Sequence, residues 1–390
     1  MKIFIVTQTK FPEPCAVTTH ISLVAKVFQE GGHTVRVFSR SNTESGEYEN
    51  IPFTSLRGKG KNRLSLLFHY LFYFKKELFR ILREEKPDIV LMYSLPFGVA
   101  SALVSKSRHK NFLLMHDSVE WYSKEESEFL SMQRLQYYMH EYKMRKLLPG
   151  KVTIIAISQY LKDYFLSKGN DCAYLPAVCD TKITSGHKDL SQEKLTVLYA
   201  GSPGKKDLFE PIVKAMSELP AEDREKLSLQ IIGSTASEIA ANANVSVAFI
   251  ERLGDCMTFL PRMPHAEVLK CLEKADFTIL IRPAKMRYAK AGFPTKVPES
   301  LSTATPIICN LTSDLHMYLE DGENAVIAEG YSTEAVKNAL HRALSLTLEQ
   351  RERMCRNARD TAIQQFDYRL YVDEINDFIE HSYEKLKGCR

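Results

Sequence analysis

The sequence contains no run of about 18 apolar residues, so no segment is expected to span a bilayer. Its opening stretch, Met1-Lys2-Ile3-Phe4-Ile5-Val6, is too short for a signal-peptide core and carries no small-residue cleavage site. None of the eight cysteines forms a C-x-x-C pair, and several sit inside apolar runs. That is the pattern of reduced, partly buried thiols, not of a disulfide framework. The net charge is only +4, so no nucleic-acid partner is expected and any basic partner surface must be local. Neither G-x-x-x-x-G-K-[ST] nor G-x-G-x-x-G occurs. Together these absences lead to the expectation of a cytoplasmic chain.

What is present is an ordinary globular composition, 44% hydrophobic and 26% charged. Short apolar runs recur at 3–7, 35–39, 89–93, 112–115, 154–157 and 173–175, with helical periodicity between most of them. This alternation predicts a parallel sheet covered on both faces. Between Thr181 and Lys194 the apolar content drops, which reads as a linker. The pattern then restarts at 197–200, 229–233, 277–281, 307–309 and 325–327. The expected class is α/β, with two doubly wound Rossmann-like domains. The expected boundaries are 1–180, a linker at 181–194, a second domain at 195–370, and a carboxyl-terminal helix at 371–390 that returns to the first domain. Ligands bind such sheets at the carboxyl ends of the strands, so the expected site is a cleft between the domains.

Two segments carry chemistry. In Leu198-Tyr199-Ala200-Gly201-Ser202-Pro203-Gly204-Lys205-Lys206-Asp207 a strand ends in a glycine-rich turn with two lysines. Pro211 fits only the first turn of the helix that follows. Gly201 and Gly204 allow close backbone approach, and the lysines offer point charges, a combination suited to a diphosphate or equally to a solvated turn. In Ala291-Gly292-Phe293-Pro294-Thr295-Lys296-Val297-Pro298-Glu299-Ser300-Leu301, Thr295 is a natural N-cap and Pro298 falls where a missing N–H costs no helical bond. The N–H groups of Thr295, Lys296 and Val297 are expected free to meet an anion. A carboxylate at Glu299 can accept hydrogen bonds from two vicinal hydroxyls, as on a ribose.

As a set, G-S-P-G-K-K, A-D-F-T-I-L-I, A-G-F-P-T-K-V-P-E-S-L and T-P-I-I resemble the carboxyl-terminal half of retaining GT-B glycosyltransferases of the GT4 type (glycosyl transferases group 1). Met115-His116-Asp117-Ser118-Val119-Glu120-Trp121-Tyr122-Ser123 and Ile155-Ala156-Ile157-Ser158-Gln159-Tyr160-Leu161 resemble the other half in bacterial polysaccharide-assembly members. The resemblance implies that Lys206, with Lys205, holds the donor pyrophosphate and that Glu299 binds the ribose as the second glutamate of an E-x7-E pattern. It implies that Gly201, Ser202 and Gly204 line the donor, as does the backbone of Gly292, Phe293, Pro294, Thr295 and Lys296. His116 or Asp117 would stand near the reacting sugar, with Thr18, Thr19, Glu120 and Trp121 on the acceptor side.

The sequence departs from that pattern in four places. Ala291 replaces the first glutamate, which leaves the donor sugar open. Ser202 replaces an arginine that usually follows the first glycine. Ala304 stands where a helix end usually has glycine. Glu13-Pro14-Cys15-Ala16-Val17-Thr18-Thr19 replaces a Gly-Gly turn, and the hydroxyls and N–H groups of Thr18 and Thr19 are expected at the following helix start.

A nucleoside diphosphate leaving group gathers negative charge as its bond to the sugar breaks. No D-x-D pair on a suitable strand end offers a metal site, so lysines and a helix N-terminus are expected to stabilise that charge without a cofactor. The implied co-substrates are a nucleotide-diphosphate sugar and a glycan or lipid-linked acceptor. A basic and aromatic stretch from Gly58 to Lys86 suits an anionic membrane surface, which would place the chain at the inner face of the cell membrane; it also suits a buried helix with solvated ends. Two other readings share the architecture: a nucleotide-sugar 2-epimerase, and a non-catalytic GT-B partner subunit.

Overall fold

The apolar run at the amino terminus forms β1 (Lys2–Thr7), whose last five residues are buried. The sheet built on it also contains β2 (Thr34–Ser39), β3 (Gly46–Tyr48), β4 (Ile51–Ser55), β5 (Ile89–Tyr93), β6 (Leu113–Ser118), β7 (Thr153–Ala156) and β8 (Cys172–Tyr174). The order is β3-β4-β2-β1-β5-β6-β7-β8, and only the β3–β4 pair is antiparallel. Strands β5 and β6 are buried throughout, as a parallel sheet between helical layers requires. The computed structural model describes residues 1–41, 43–56, 73–107, 112–124, 132–190, 192–204 and 206–388.

The second sheet contains β9 (Leu195–Ala200), β10 (Leu227–Ile232), β11 (Met257–Leu260), β12 (Phe277–Leu280), β13 (Ile307–Cys309) and β14 (Ala325–Ile327). Its order is β11-β10-β9-β12-β13-β14, all parallel. Strand order therefore reverses between β9 and β12, the switch point of a doubly wound sheet. Val197, Tyr199, Leu229, Phe277 and Ile308 join one buried cluster with Phe209, Val213 and Leu340 from the covering helices.

The chain divides into two units, Met1–Pro176 with Tyr368–Arg390, and Ala177–Asp367. The last helix, Val372–Gly388, belongs to the first unit and buries Ile375 and Ile379. It lies so close to the helix Ala16–Glu30 that a Cβ on Gly31 would sit 1.6 Å from Asn376 Nδ2, so a larger residue there would have to displace the Asn376 amide. Tyr383 adds a 2.6 Å hydrogen bond to the Asp88 carboxylate.

The segment expected as a linker, 181–194, packs into the second unit. Arg359 donates to the Thr181 carbonyl at 2.7 Å and to the Thr184 hydroxyl at 2.8 Å. Lys188 donates to the Leu272 carbonyl at 2.7 Å and the Thr305 hydroxyl at 2.6 Å, and burial pushes its pKa down to about 8. Low apolar content here reflects polar side chains spent on backbone carbonyls.

Three strands escape the hydrophobic pattern. β3 is a three-residue edge strand that starts at Gly46, and β4 lies between β3 and β2, with its Pro52 just outside the β2 pairing, which covers Phe53 to Ser55. β11 is an edge strand with only Met257 buried.

Candidate active site

At the switch point β9 and β12 pair only through Val197–Phe277 and Leu198–Thr278. Beyond that the strands part, and the Ile281 carbonyl accepts instead from the Leu208 N–H at 2.8 Å. The turn that fills the opening starts at Gly201, whose φ of +117° favours glycine. A Cβ there would lie 3.6 Å from Lys296 Cε. Ser234 and Asn242 donate to the Gly201 and Gly204 carbonyls and so fix the turn.

Asp207 closes the turn with its carboxylate almost fully buried. Arg282, just past β12, donates from Nε at 2.7 Å, Lys296 from Nζ at 3.0 Å, and the Tyr199 hydroxyl at 2.7 Å. Burial alone would raise the Asp207 pKa, but Lys296 and Arg282 outweigh it and hold it at about 2. The same burial, reinforced by Asp207, pushes the Tyr199 hydroxyl well up, so it stays a donor. Lys296 also lies over the Tyr199 ring, 4.9 Å from its centroid. Two cations thus share one carboxylate where two strand ends and one helix start meet, which leaves the cluster net positive.

Lys206 is half-buried in the same turn, and its carbonyl accepts from the Tyr288 hydroxyl at 3.3 Å. Lys205 lies outside the described residues. Pro211 occupies the first turn of the helix Glu210–Glu218.

The helix Lys296–Ser302 starts where the sequence places it, with Thr295 at the N-cap and Pro298 third. Two details differ. Thr295 has helical backbone angles and its side chain caps nothing, because the chain enters through a turn that already runs helically. In that turn the Val297 N–H donates to the Pro294 carbonyl at 3.0 Å, so it is not free for an anion. Ala291, Gly292, Phe293 and Pro294 are buried, Phe293 against Tyr318 and Phe366, with ring centroids 5.8 Å away in each case. From Ala291 to Leu301 only Thr295, Lys296 and Glu299 reach the surface. Ala291 has no exposure at all, so a glutamate here would have to carry its carboxylate into packed surroundings. Glu299, 28% exposed, accepts a hydrogen bond from His265 Nε2.

In the first unit the carboxyl ends of β1, β5 and β6 meet at a second cluster. His20 Nε2 and Asp117 Oδ2 lie 2.7 Å apart and both side chains are buried. The Tyr93 ring stands 5.4 Å from the His20 ring, and burial, then the Asp117 charge, raises its pKa. His116 points to the other face of β6. It is buried, and its Nδ1 faces the Met92 carbonyl at 3.1 Å. Burial, then the nearby Lys143, lowers its pKa well below the usual value, so it is a neutral imidazole. Lys143 itself is pushed down to about 8 by burial, opposed by Glu120. His116 and Asp117, adjacent in sequence, therefore serve different environments.

The hydroxyls of Thr18 and Thr19 are spent locally, on the Glu13 carbonyl at 2.6 Å and the Cys15 carbonyl at 3.5 Å, because no side chain caps the helix Ala16–Glu30. Trp121 is buried, donates to Glu141 at 2.6 Å and packs on Tyr164 at 4.4 Å between centroids. Glu120 remains half-buried beside it.

Two family models match, Glycosyl transferases group 1 over 181–361 and Glycosyltransferase Family 4 over 17–180. The chain is a GT-B glycosyltransferase. Similar solved structures agree on the fold. Sucrose-phosphate synthase (tll1590) from Thermosynechococcus elongatus has a TM-score of 0.76 at 16% identity, with 100% of both chains covered. WaaG, a glycosyltransferase involved in lipopolysaccharide biosynthesis, has a TM-score of 0.69 at 16% identity, covering 97% of this chain and 99% of its own. Anabaena Alr3699/HepE in complex with UDP-glucose has a TM-score of 0.67 at 15% identity, with 100% of both chains covered. No curated protein matches the sequence.

Sequence reading passed over four residues that this glycosyltransferase brings to its strand ends: His20, Asp207, His265 and Arg282. Arg282 stands just past the end of β12, and that position was the available signal; Asp207 lies seven residues beyond β9, at the far end of the glycine turn. Nothing in the sequence pairs His20 with Asp117 or His265 with Glu299, which the fold joins across 97 and 34 residues.

Proposed function

We propose that this glycosyltransferase moves a sugar from a nucleoside-diphosphate donor to a glycan or lipid-linked acceptor, with retention of anomeric configuration and without a metal ion. The observation that carries the reading is the cluster at the β9–β12 switch point, where Arg282 and Lys296 converge on the one carboxylate of Asp207 beside the Gly201 turn. Ligands of doubly wound sheets bind at this place, and a diphosphate matches its positive charge.

As the sugar–phosphate bond breaks, the departing diphosphate gains charge, and a fixed cation stabilises it more in the transition state than in the ground state. Lys296 and Lys206 perform this task. Asp207 aims Lys296 and holds Arg282, so little reorganisation is needed. Glu299, oriented by His265, has a second carboxylate oxygen for a ribose hydroxyl. In the first unit the buried Asp117–His20 pair and Tyr93 supply the polar groups on the acceptor side. Ala291 leaves the donor sugar without a carboxylate partner from that position.

The acceptor class and an anionic membrane partner rest on the family resemblance and on the basic stretch 58–86. Residues 58–72 of that stretch lie outside the described ones. The rest forms the helix Lys75–Glu85, with Leu78, Ile81 and Leu82 buried. Among the described residues no helix is long and apolar enough to cross a membrane.

The test is to incubate the protein, in EDTA, with labelled nucleotide sugars and a panel of glycan and lipid-linked acceptors, and to follow both substrates by NMR. The expected result is acceptor-dependent consumption of one donor with its anomeric configuration kept. Donor turnover without any acceptor would favour epimerisation instead, and inversion would remove the stereochemical part.

A further inference from the structure

Arg262 stands one residue beyond Pro261 at the end of β11 and is exposed. Its guanidinium crosses the carboxyl ends of the neighbouring strands. Nε donates to the Gly233 carbonyl after β10, and Nη2 to the Ser202 hydroxyl after β9, each at 3.4 Å. Both bonds are long and weak, and they use two of five N–H donors. Gly233 has a φ of +84°, and a Cβ there would come within 3.3 Å of Arg262 Cγ, so glycine leaves room for the arginine stem. On the other side of the same turn, Lys296 Cε lies 3.6 Å from where a Gly201 Cβ would be. Lys296 and Arg262 therefore reach adjacent residues of one turn, from opposite sides of β9.

Arg282 and Lys296 are both bonded to Asp207, whereas among the described residues no carboxylate pairs with Arg262. A planar, always-charged fork with unused donors beside a glycine turn suits an anion with paired oxygens.

We propose that Arg262 is a donor-binding residue that grips the diphosphate from the β11 side and supplies the cation that Ser202 cannot. This rests on the functional reading above. The guanidinium swings from its two weak acceptors onto phosphate oxygens, and the Ser202 hydroxyl is released to bond the same group. The cation arrives across the sheet instead of along the turn.

Calorimetric titrations of UDP, GDP and ADP, and of the matching monophosphates, test this on wild-type protein, Arg262→Ala and Arg262→Ala/Ser202→Arg. Because Arg262 is exposed, the single variant should keep its fold, and circular dichroism checks that. For the diphosphate that wild type binds, Arg262→Ala should weaken affinity roughly tenfold or more. The monophosphate should lose much less, and the added arginine at 202 should recover part of the loss. Equal losses for mono- and diphosphate would make Arg262 a base or ribose contact and overturn the proposal, as would an unchanged diphosphate affinity. If wild type binds none of the diphosphates, the functional reading itself fails.

Discussion

Asp207 shows how one buried charge can arrange a site. Its carboxyl is held at about 2 because Lys296 and Arg282 more than offset its burial. A folded-state pKa below the unfolded value adds stability that is complete above about pH 4 and fades as pH falls towards 2. The shift is worth about 2 kcal/mol. Asp207→Asn removes that anion and leaves two cations facing each other, a loss of roughly 3 kcal/mol at neutral pH. Denaturation of both proteins between pH 7 and pH 2 checks this. The gap should be constant down to about pH 4 and shrink below it, and a gap independent of pH would refute the ion-pair account. At this scale the sequence was only partly legible. Lys206, Lys296 and Glu299 stand at strand and helix ends that local pattern can locate. Asp207 looked like one more polar turn residue, and its role appears only when Arg282 and Lys296 arrive from 75 and 89 residues away. The pair His20–Asp117 was hidden for the same reason, while His116, next to it in sequence, turned out to face the opposite side of the strand.

Among the elements, the helix Lys296–Ser302 was legible nearly to the residue, because Thr295 and Pro298 bracket its first turn. Its far end explains one departure from the family pattern. The Ala304 N–H donates to the Leu301 carbonyl and the Thr305 N–H to the Ser300 carbonyl, both at 3.0 Å, which is the paired bonding of a helix C-terminus. This arrangement puts Ala304 at φ +54°, in the left-handed region that glycine tolerates best. Ala304→Gly should relieve that strain, partly offset by the freer unfolded chain, for a net gain of about 1 kcal/mol. Chemical denaturation measures it, and a loss of stability would mean that the Ala304 methyl, which is buried, matters more than the backbone. The edge strands β3 and β11, and the short β4 next to β3, escaped the sequence for a related reason. Edge positions need neither continuous apolar runs nor a ban on glycine and proline.

At the scale of the whole molecule, two parallel sheets with the same kind of strand reversal could be read in advance, since buried parallel strands leave continuous apolar runs. The course of the chain was harder. Residues 181–194 look like a linker in composition, yet Arg359 and Lys188 tie them into the second unit. The chain leaves the first unit after Pro176 and returns to it at Tyr368. The central claim is that a donor diphosphate binds to cations at the β9–β12 switch point without a metal. The most direct test is a thermal-shift screen of nucleoside diphosphates and their sugars in EDTA, on wild type, Lys296→Ala and Glu299→Ala. A ligand at about 100 times its dissociation constant adds about 2.7 kcal/mol, so one nucleotide should raise the melting temperature of wild type clearly. Both variants should lose most of that rise. No rise in EDTA but a rise with magnesium, or an undiminished rise in Lys296→Ala, would contradict the claim.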